Sequence, residues 1–460
     1  MSKKSYPYIP NSDPAIQEEM LKFIGVESVD DLIRQNIPQE LLMKEPLRLP
    51  NPYEAECDLV RHVSSILNKD KTAVEMTSFL GAGCCNHYVP ALVDEVINRS
   101  EFLSAYAGEP YEDHGRFQAC FEYESMMAEL LDCEVVNVPN YDGSQAAGTA
   151  LRMATRVTER DEVLIPATLN PDVARAVKTY LHPDVKVTTV DYNSKTGRLC
   201  LVDLKNKLTD KVAAVMVMNP NFFGIVEEEA ARIAQMVHDA GALFIVYAEP
   251  VTLGVMKPPF QYGADIACGD IQGLGIHMNY GGGVGGYIAV KDRPELVRQY
   301  PSRLFGLAPT SHGEWGFGDV LWERTSFAVR DHAKEFVGTH AALWSIGAAV
   351  YLASLGPKGM QELGTTLLQR CALLRRKLSG IAGLTVCPVD GAPFHEFVLR
   401  FENKKVAEVN AALLEKDILG GFDLTGSYPE LGECELLCVT ERTTPEDMDR
   451  LAEALKEILA

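Results

Sequence analysis

Residues 212–250, VAAVMVMNPNFFGIVEEEAARIAQMVHDAGALFIVYAEP, decide the fold. Val212 to Met218 is a continuous apolar run, and Asn219-Pro220-Asn221 turns the chain. Glu227 to Ala240 has helical spacing, with acids in its first turn and Gly241 at its stop, the polarity a helix dipole and a left-handed C-cap favour. Ala242 to Ala248 is a second apolar run. Strands apolar at every position are buried on both faces, which predicts an α/β fold with a mostly parallel central sheet covered by helices.

The same alternation extends in both directions. Toward the N-terminus, helices are expected at Glu122 to Leu131, Ser144 to Val157 and Val173 to Tyr180, and strands at Glu134 to Val138, Glu162 to Ile165 and Val185 to Val190. From about residue 360 a new alternation begins. A helix through Leu373 precedes strands near 384 and at 396–401. A helix through Leu414, a strand at 435–439 and a helix from Pro445 follow, as in a smaller α+β domain. Residues 14–45 are amphipathic, and Pro46, Pro50 and Pro52 then break the pattern. Three parts are expected: an N-terminal arm (1–60), a large domain (61–330), and a connecting helix with a small C-terminal domain (331–460).

Composition narrows the partners. The 460 residues carry 43 Lys and Arg against 64 Asp and Glu, a net charge of −21. A nucleic-acid backbone or an anionic membrane requires a basic footprint, so neither is expected as a partner. Residues 1–13 are polar and contain Pro7 and Pro10, unlike a signal peptide. The longest uncharged apolar stretch, Ala341 to Gly356, is short for a membrane span and reads as a buried helix ending at Pro357. Eleven cysteines without CxxC pairs predict neither a disulfide framework nor a zinc site, and a cytoplasmic location.

Several catalytic motifs are excluded. Gly281, Gly283 and Gly286 have GxGxxG spacing but run into Tyr287-Ile288-Ala289-Val290, a strand, where a dinucleotide site needs a helix. There is no GxxxxGK[ST], no HExxH and no GxSxG. Two features point to pyridoxal phosphate. Asp142-Gly143-Ser144 opens a helix and would suit a phosphate monoester; a plain cap by Asp142 or Ser144 is the simpler reading. Glu249 ends the second apolar strand, where an acid can pair with a protonated pyridine nitrogen. Such an enzyme needs a Schiff-base lysine roughly two dozen residues later. Between Glu249 and Lys291 only Lys257 exists, beside Pro258-Pro259 in an expected loop.

These residues, with Ser78-Phe79-Leu80-Gly81-Ala82-Gly83, His87-Tyr88, Pro220-Asn221-Phe222-Phe223-Gly224, Gly263-Ala264-Asp265-Ile266, Gly420-Gly421-Phe422-Asp423-Leu424 and Cys438-Val439-Thr440-Glu441, carry a family resemblance. The chain resembles subunit 1, the alpha subunit, of the two-subunit glycine decarboxylase, or P-protein, of the glycine cleavage system. The resemblance implies an aspartate aminotransferase-like, fold type I pyridoxal-phosphate transferase without its lysine, whose position falls near Gly273. It implies that a subunit 2 homologue carries lysine and cofactor in an α2β2 assembly. The family decarboxylates glycine and passes the aminomethyl group to the lipoyl arm of H-protein. His87, Tyr106 and Glu109 are then expected to line the site, and Gly143, Ser144, Glu249 and Gln272 to be remnants of a cofactor site. His340 reads as a buried or capping histidine.

The chain departs from the family in loops. Cys84-Cys85-Asn86 replaces Ala-Tyr-Asp, Glu249-Pro250 replaces Asp-Pro, and segments 107–112 and 335–340 differ. Loops carry specificity on a fixed scaffold. Two alternatives therefore stand beside a glycine decarboxylase subunit: a paired homologue acting on another small amine or amino acid, and a non-catalytic regulatory or scaffold subunit.

Overall fold

The computed structural model describes residues 5, 6, 8–45, 47–73, 75–103, 114–281, 285–335, 337 and 341–460. The chain divides into two compact units, Met1–Asp70 and Lys71–Ala460. In the first, Pro14–Ile24 is capped by Asp13, and Val29–Asn36 by a reciprocal Ser28–Asp31 box. A third helix, Glu56–Leu67, runs through residue 60, the expected end of the arm. None of these three helices has a buried residue.

The second unit is built on a seven-stranded sheet. Its strands are β1 (Val135–Val136), β2 (Glu162–Pro166), β3 (Lys186–Val190), β4 (Val212–Asn219), β5 (Leu243–Ala248), β6 (Ile266–Asp270) and β7 (Gly286–Val290). Their spatial order is β1-β7-β6-β5-β4-β2-β3. The five strands from β6 to β3 are parallel, and β7 lies antiparallel to both β6 and β1. Every residue of β5 is buried, and β4 is buried at all positions but Met218, because helices cover both faces of these apolar runs. Gly286 opens a strand, as its sequence context predicts.

One helix starts later than the spacing suggests. It spans Ala230–Asp239, not Glu227 to Ala240. Glu227 is buried and its carboxylate accepts the backbone N–H groups of Leu199 (2.8 Å) and Glu229 (3.2 Å), so the first acid holds a loop instead of capping a dipole.

The C-terminal part contains β8 (Leu384–Val386), β9 (Glu396–Phe401), β10 (Phe422–Asp423) and β11 (Cys434–Cys438) in antiparallel order β8-β9-β11-β10. The helix Ala342–Leu378 joins it to the large sheet. Its backbone breaks at Gly356 (φ 60°), before Pro357, where a proline ring cannot continue the turn. Ala348 and Leu352 before the break pack with Tyr123 and Met127; Leu374 and Leu378 after it pack with Phe397 and Leu399. The helix thus inserts one end into each core. All eleven cysteines are free thiols, and no helix among the described residues is long and apolar enough to cross a membrane.

Candidate functional site

In an open α/β sheet, ligand sites form beyond the carboxyl ends of the strands, where the strand order reverses. Here β2 has β3 on one side and β4 on the other. The cleft at these ends is lined by Asn170 beyond β2, Met218 in β4, Tyr247 and Glu249 at the end of β5, and Asp270, Gln272 and Gly273 at the end of β6. Gly83, Cys85 and Glu396 close it from other segments. Sequence position placed Glu249, Gln272 and Gly273 here, and His87 joins them.

Glu249 is not free to meet a ligand. Its Oε2 lies 2.7 Å from His395 Nε2, and its Oε1 3.9 Å from His87 Nε2. Burial would raise its pKa, but the charge and hydrogen bond of His395, then those of His87, hold it well below the usual carboxylate range. Both imidazoles are almost fully buried. Burial disfavours their charged forms, yet the surrounding Cys85, Glu249 and Glu441 raise His87, and Glu249 raises His395. The second carboxylate, Glu441, accepts from His87 Nδ1 at 2.8 Å and from the Tyr88 backbone N–H at 2.5 Å. The result is a network of two imidazoles and two carboxylates.

The helix N-terminus is engaged as well. Asp142, not Ser144, caps Gly143–Thr158 by accepting the Gln145 N–H at 2.7 Å. The Gly143 N–H, which a phosphate would need, donates to Asp270 Oδ2 at 2.9 Å. Asp270 also accepts the Gln272 N–H at 2.8 Å. Burial pushes its pKa up to about 6, against the pull of these two donors. The Gln272 side chain forms a clamp: it accepts the Cys85 N–H (3.0 Å) and donates to the carbonyls of Cys85 (3.1 Å) and Ile276 (2.9 Å).

That clamp is one of several on the segment from Gly81 to Tyr88. The Ala82 N–H donates to Glu396 Oε1 (2.7 Å), and its carbonyl accepts from Asn170 Nδ2 (2.8 Å). The Asn86 carbonyl accepts from the Thr440 hydroxyl (2.9 Å). The segment is thus fastened to the large sheet by Asn170 and Gln272, and to the C-terminal part by Glu396, Thr440 and Glu441.

Pyridoxal phosphate does not fit this cleft. A Cβ on Gly273, near which the resemblance puts the family's lysine, would stand 2.9 Å from Val251 Cγ1 and 3.6 Å from His87 Nε2. A Cβ on Gly143 would meet the Tyr247 hydroxyl. Glu249, the expected pyridine partner, is paired with histidine, the Gly143 N–H is held by Asp270, and the cavity is about 50 Å3. Ligand pockets run from about 300 to 1,000 Å3. Lys257 is exposed and does not line the cleft.

Tyr106, Glu109 and His340 fall outside the described residues. Glu335 contacts the helix Gly143–Thr158, pairing with Arg156 (2.9 Å) and accepting from Thr149 (2.7 Å) and Tyr180 (2.8 Å). Sequence reasoning missed Asp270, His395 and Glu441 as site residues. Asp270 and Glu441 each lie just beyond an apolar run, the signal that located Glu249.

The strand order and a crevice floored by an acid after β5 define the fold type I class of pyridoxal-phosphate-dependent transferases. Structures of sphingosine-1-phosphate lyase from Burkholderia pseudomallei (15% identity, TM-score 0.65, 90% of this chain and 92% of that one) and of a NifS-like protein from Rickettsia africae (13%, 0.62, 83% and 99%) share this fold. Within that class, the family model of the glycine cleavage system P-protein matches residues 7–455, and the chain belongs to that family. It is 40% identical over 455 residues to the probable glycine dehydrogenase (decarboxylating) subunit 1 of Thermococcus onnurineus, covering 98% of this chain and 99% of the relative. The subunit of the same name from Carboxydothermus hydrogenoformans is 38% identical, over 97% and 99%. A crystal structure of glycine decarboxylase (P-protein) in inhibitor-bound form superposes with a TM-score of 0.86 at 33% identity, over 99% of this chain and 100% of that one.

Proposed function

We propose that this chain is the lysine-less subunit of a glycine dehydrogenase (decarboxylating). A homologous partner carries the lysine and the pyridoxal phosphate, and the complex passes the aminomethyl group of glycine to the lipoyl arm of H-protein. The observation that carries this reading is the closed cleft. A chain whose relatives along its whole length are named subunit 1 has its own cofactor position filled by Glu249, His395 and Asp270. The cofactor supplies the electron sink for decarboxylation, and this chain supplies scaffold and interface.

The N-terminal arm supports a partner. Phe23 is 93% exposed, and Leu41 and Leu49 are 72% and 73% exposed. On this reading these side chains are candidates for contact with the partner subunit. A paired enzyme for another small amine is a second reading, favoured by the Cys84-Cys85-Asn86 departure beside the cleft.

The test is reconstitution. Glycine-dependent carbon dioxide release is measured with this chain, the lysine-bearing subunit, and both together, each with lipoylated H-protein. Turnover requiring both subunits supports the proposal; full turnover by the partner alone contradicts it. A complex active only on another small amine selects the second reading.

A further inference from the structure

Behind Cys85 at the cleft, Cys438 and His395 gather metal-ligating groups that the charge network does not use in full. Cys85 Sγ lies 3.6 Å from Cys438 Sγ, and Cys438 Sγ lies 3.6 Å from His395 Nδ1. All three ligand atoms are within 4.8 Å of one another, and all three residues are buried. A tetrahedral zinc ion with Zn–S near 2.3 Å and Zn–N near 2.0–2.1 Å sets its ligand atoms about 3.5 to 3.8 Å apart, so the two measured edges fit without rearrangement.

The imidazoles are oriented for this role. His395 presents Nε2 to the Glu249 carboxylate, leaving Nδ1 toward the sulfurs; Nδ1 also lies 3.2 Å from the Val439 carbonyl. A carboxylate on the far ring nitrogen is the usual outer support of a metal-bound histidine. His87 repeats the pattern: Glu441 holds Nδ1, and Nε2 is buried without a hydrogen-bond partner. That orphan nitrogen lies within 4.8 Å of Cys85 Sγ and of a Glu249 oxygen. A buried unpaired nitrogen costs free energy unless something meets it.

We propose that Cys85, Cys438 and His395 bind one soft divalent cation, zinc, with a fourth position occupied by water that hydrogen-bonds His87 Nε2. The ion joins the segment Gly81 to Tyr88 to the C-terminal sheet through Cys438 at the end of β11 and His395 just before β9. Binding replaces the two thiol protons with metal–sulfur bonds and releases them to solvent, together with any proton on His395 Nδ1. The site adjoins the cleft through Cys85 and Glu249 and does not rest on the glycine reading.

The full chain, reduced and freed of metal by chelation, is titrated anaerobically with cobalt(II) and then zinc. The proposal predicts one equivalent bound, a thiolate-to-cobalt charge-transfer band with intense tetrahedral visible bands, and displacement of cobalt by zinc. Cys85→Ser and Cys438→Ser are each expected to weaken zinc binding at least tenfold. Cys84→Ser, whose thiol faces the Met278 carbonyl, is expected to leave it unchanged. Wild-type protein that is folded and reduced but gives no thiolate–cobalt band overturns the proposal, whether or not the variants fold. Recovery of Cys85 and Cys438 as a disulfide in a chain that binds no zinc after reduction overturns it too, and identifies a redox pair.

Discussion

His395 Nε2 meets Glu249 Oε2 at 2.7 Å, joining residues 146 apart in the chain across the strand ends of the large sheet. On the proposed reading this pair stands where a cofactor's pyridine nitrogen would need an acid, and His395 holds that acid in a structural pair. Removing one partner of a buried pair leaves an uncompensated charge. Glu249→Gln is therefore expected to destabilise the chain by roughly 2 kcal/mol, reduced from the fully buried case because the carboxylate is partly exposed. Urea unfolding of the two proteins measures it.

Gly273 tests whether the missing lysine alone separates this cleft from an active one. Val251 Cγ1 lies 2.9 Å from where its Cβ would stand, so Gly273→Lys forces overpacking. The variant is expected to lose about 1 to 3 kcal/mol, and to form no borohydride-stable adduct when incubated alone with pyridoxal phosphate. Absorbance and intact mass after reduction report the outcome.

Glu435 sets a pH dependence away from the cleft. It is buried in β11; Oε2 accepts the Gly421 N–H at 3.2 Å and Oε1 has no partner. Burial pushes its pKa up to about 7. The folded state thus keeps a proton that the unfolded state loses from about pH 4.3. Stability from this group is complete below that pH, declines as pH rises, and is lost above about 7. Glu435→Gln, which keeps a hydrogen-bonding amide, should gain roughly 2 to 3 kcal/mol over wild type between pH 5 and pH 8. Thermal melts at the two pH values measure the gap. An equal difference at both rules out the ionisation.

Much of the fold was legible because its central strands are apolar without interruption. Such runs as Val212 to Met218 and Ala242 to Ala248 have no stable place except between layers of helix. Glu249 was legible for the same reason, as the first polar residue after a buried strand. His395 and Glu441 were not, because convergence of side chains from β9 and the segment after β11 leaves no periodic trace. Glu227 misled the spacing, since an acid at a helix start and an acid buried under a loop look alike in one dimension. Asp142–Gly143–Ser144 left two readings open, and the choice depended on Asp270, a residue 127 positions away from Gly143.

Phe23 tests the arm. With 93% of its surface exposed and no buried residue in its helix, Phe23→Ser should change the stability of the chain alone by less than about 0.5 kcal/mol. If the arm meets the partner subunit, the same change weakens assembly about tenfold or more, as for an aromatic anchor. Sedimentation of mixed subunits separates the two effects.

On the proposed reading this chain contributes a closed cleft while its partner holds the cofactor. The co-purified complex is reduced with borohydride in pyridoxal phosphate, and each chain is weighed intact. The account predicts a phosphopyridoxyl mass on the partner alone, with this chain unmodified. An adduct on this chain, mapped to Lys257 or any other lysine and lost on adding glycine before reduction, would contradict it.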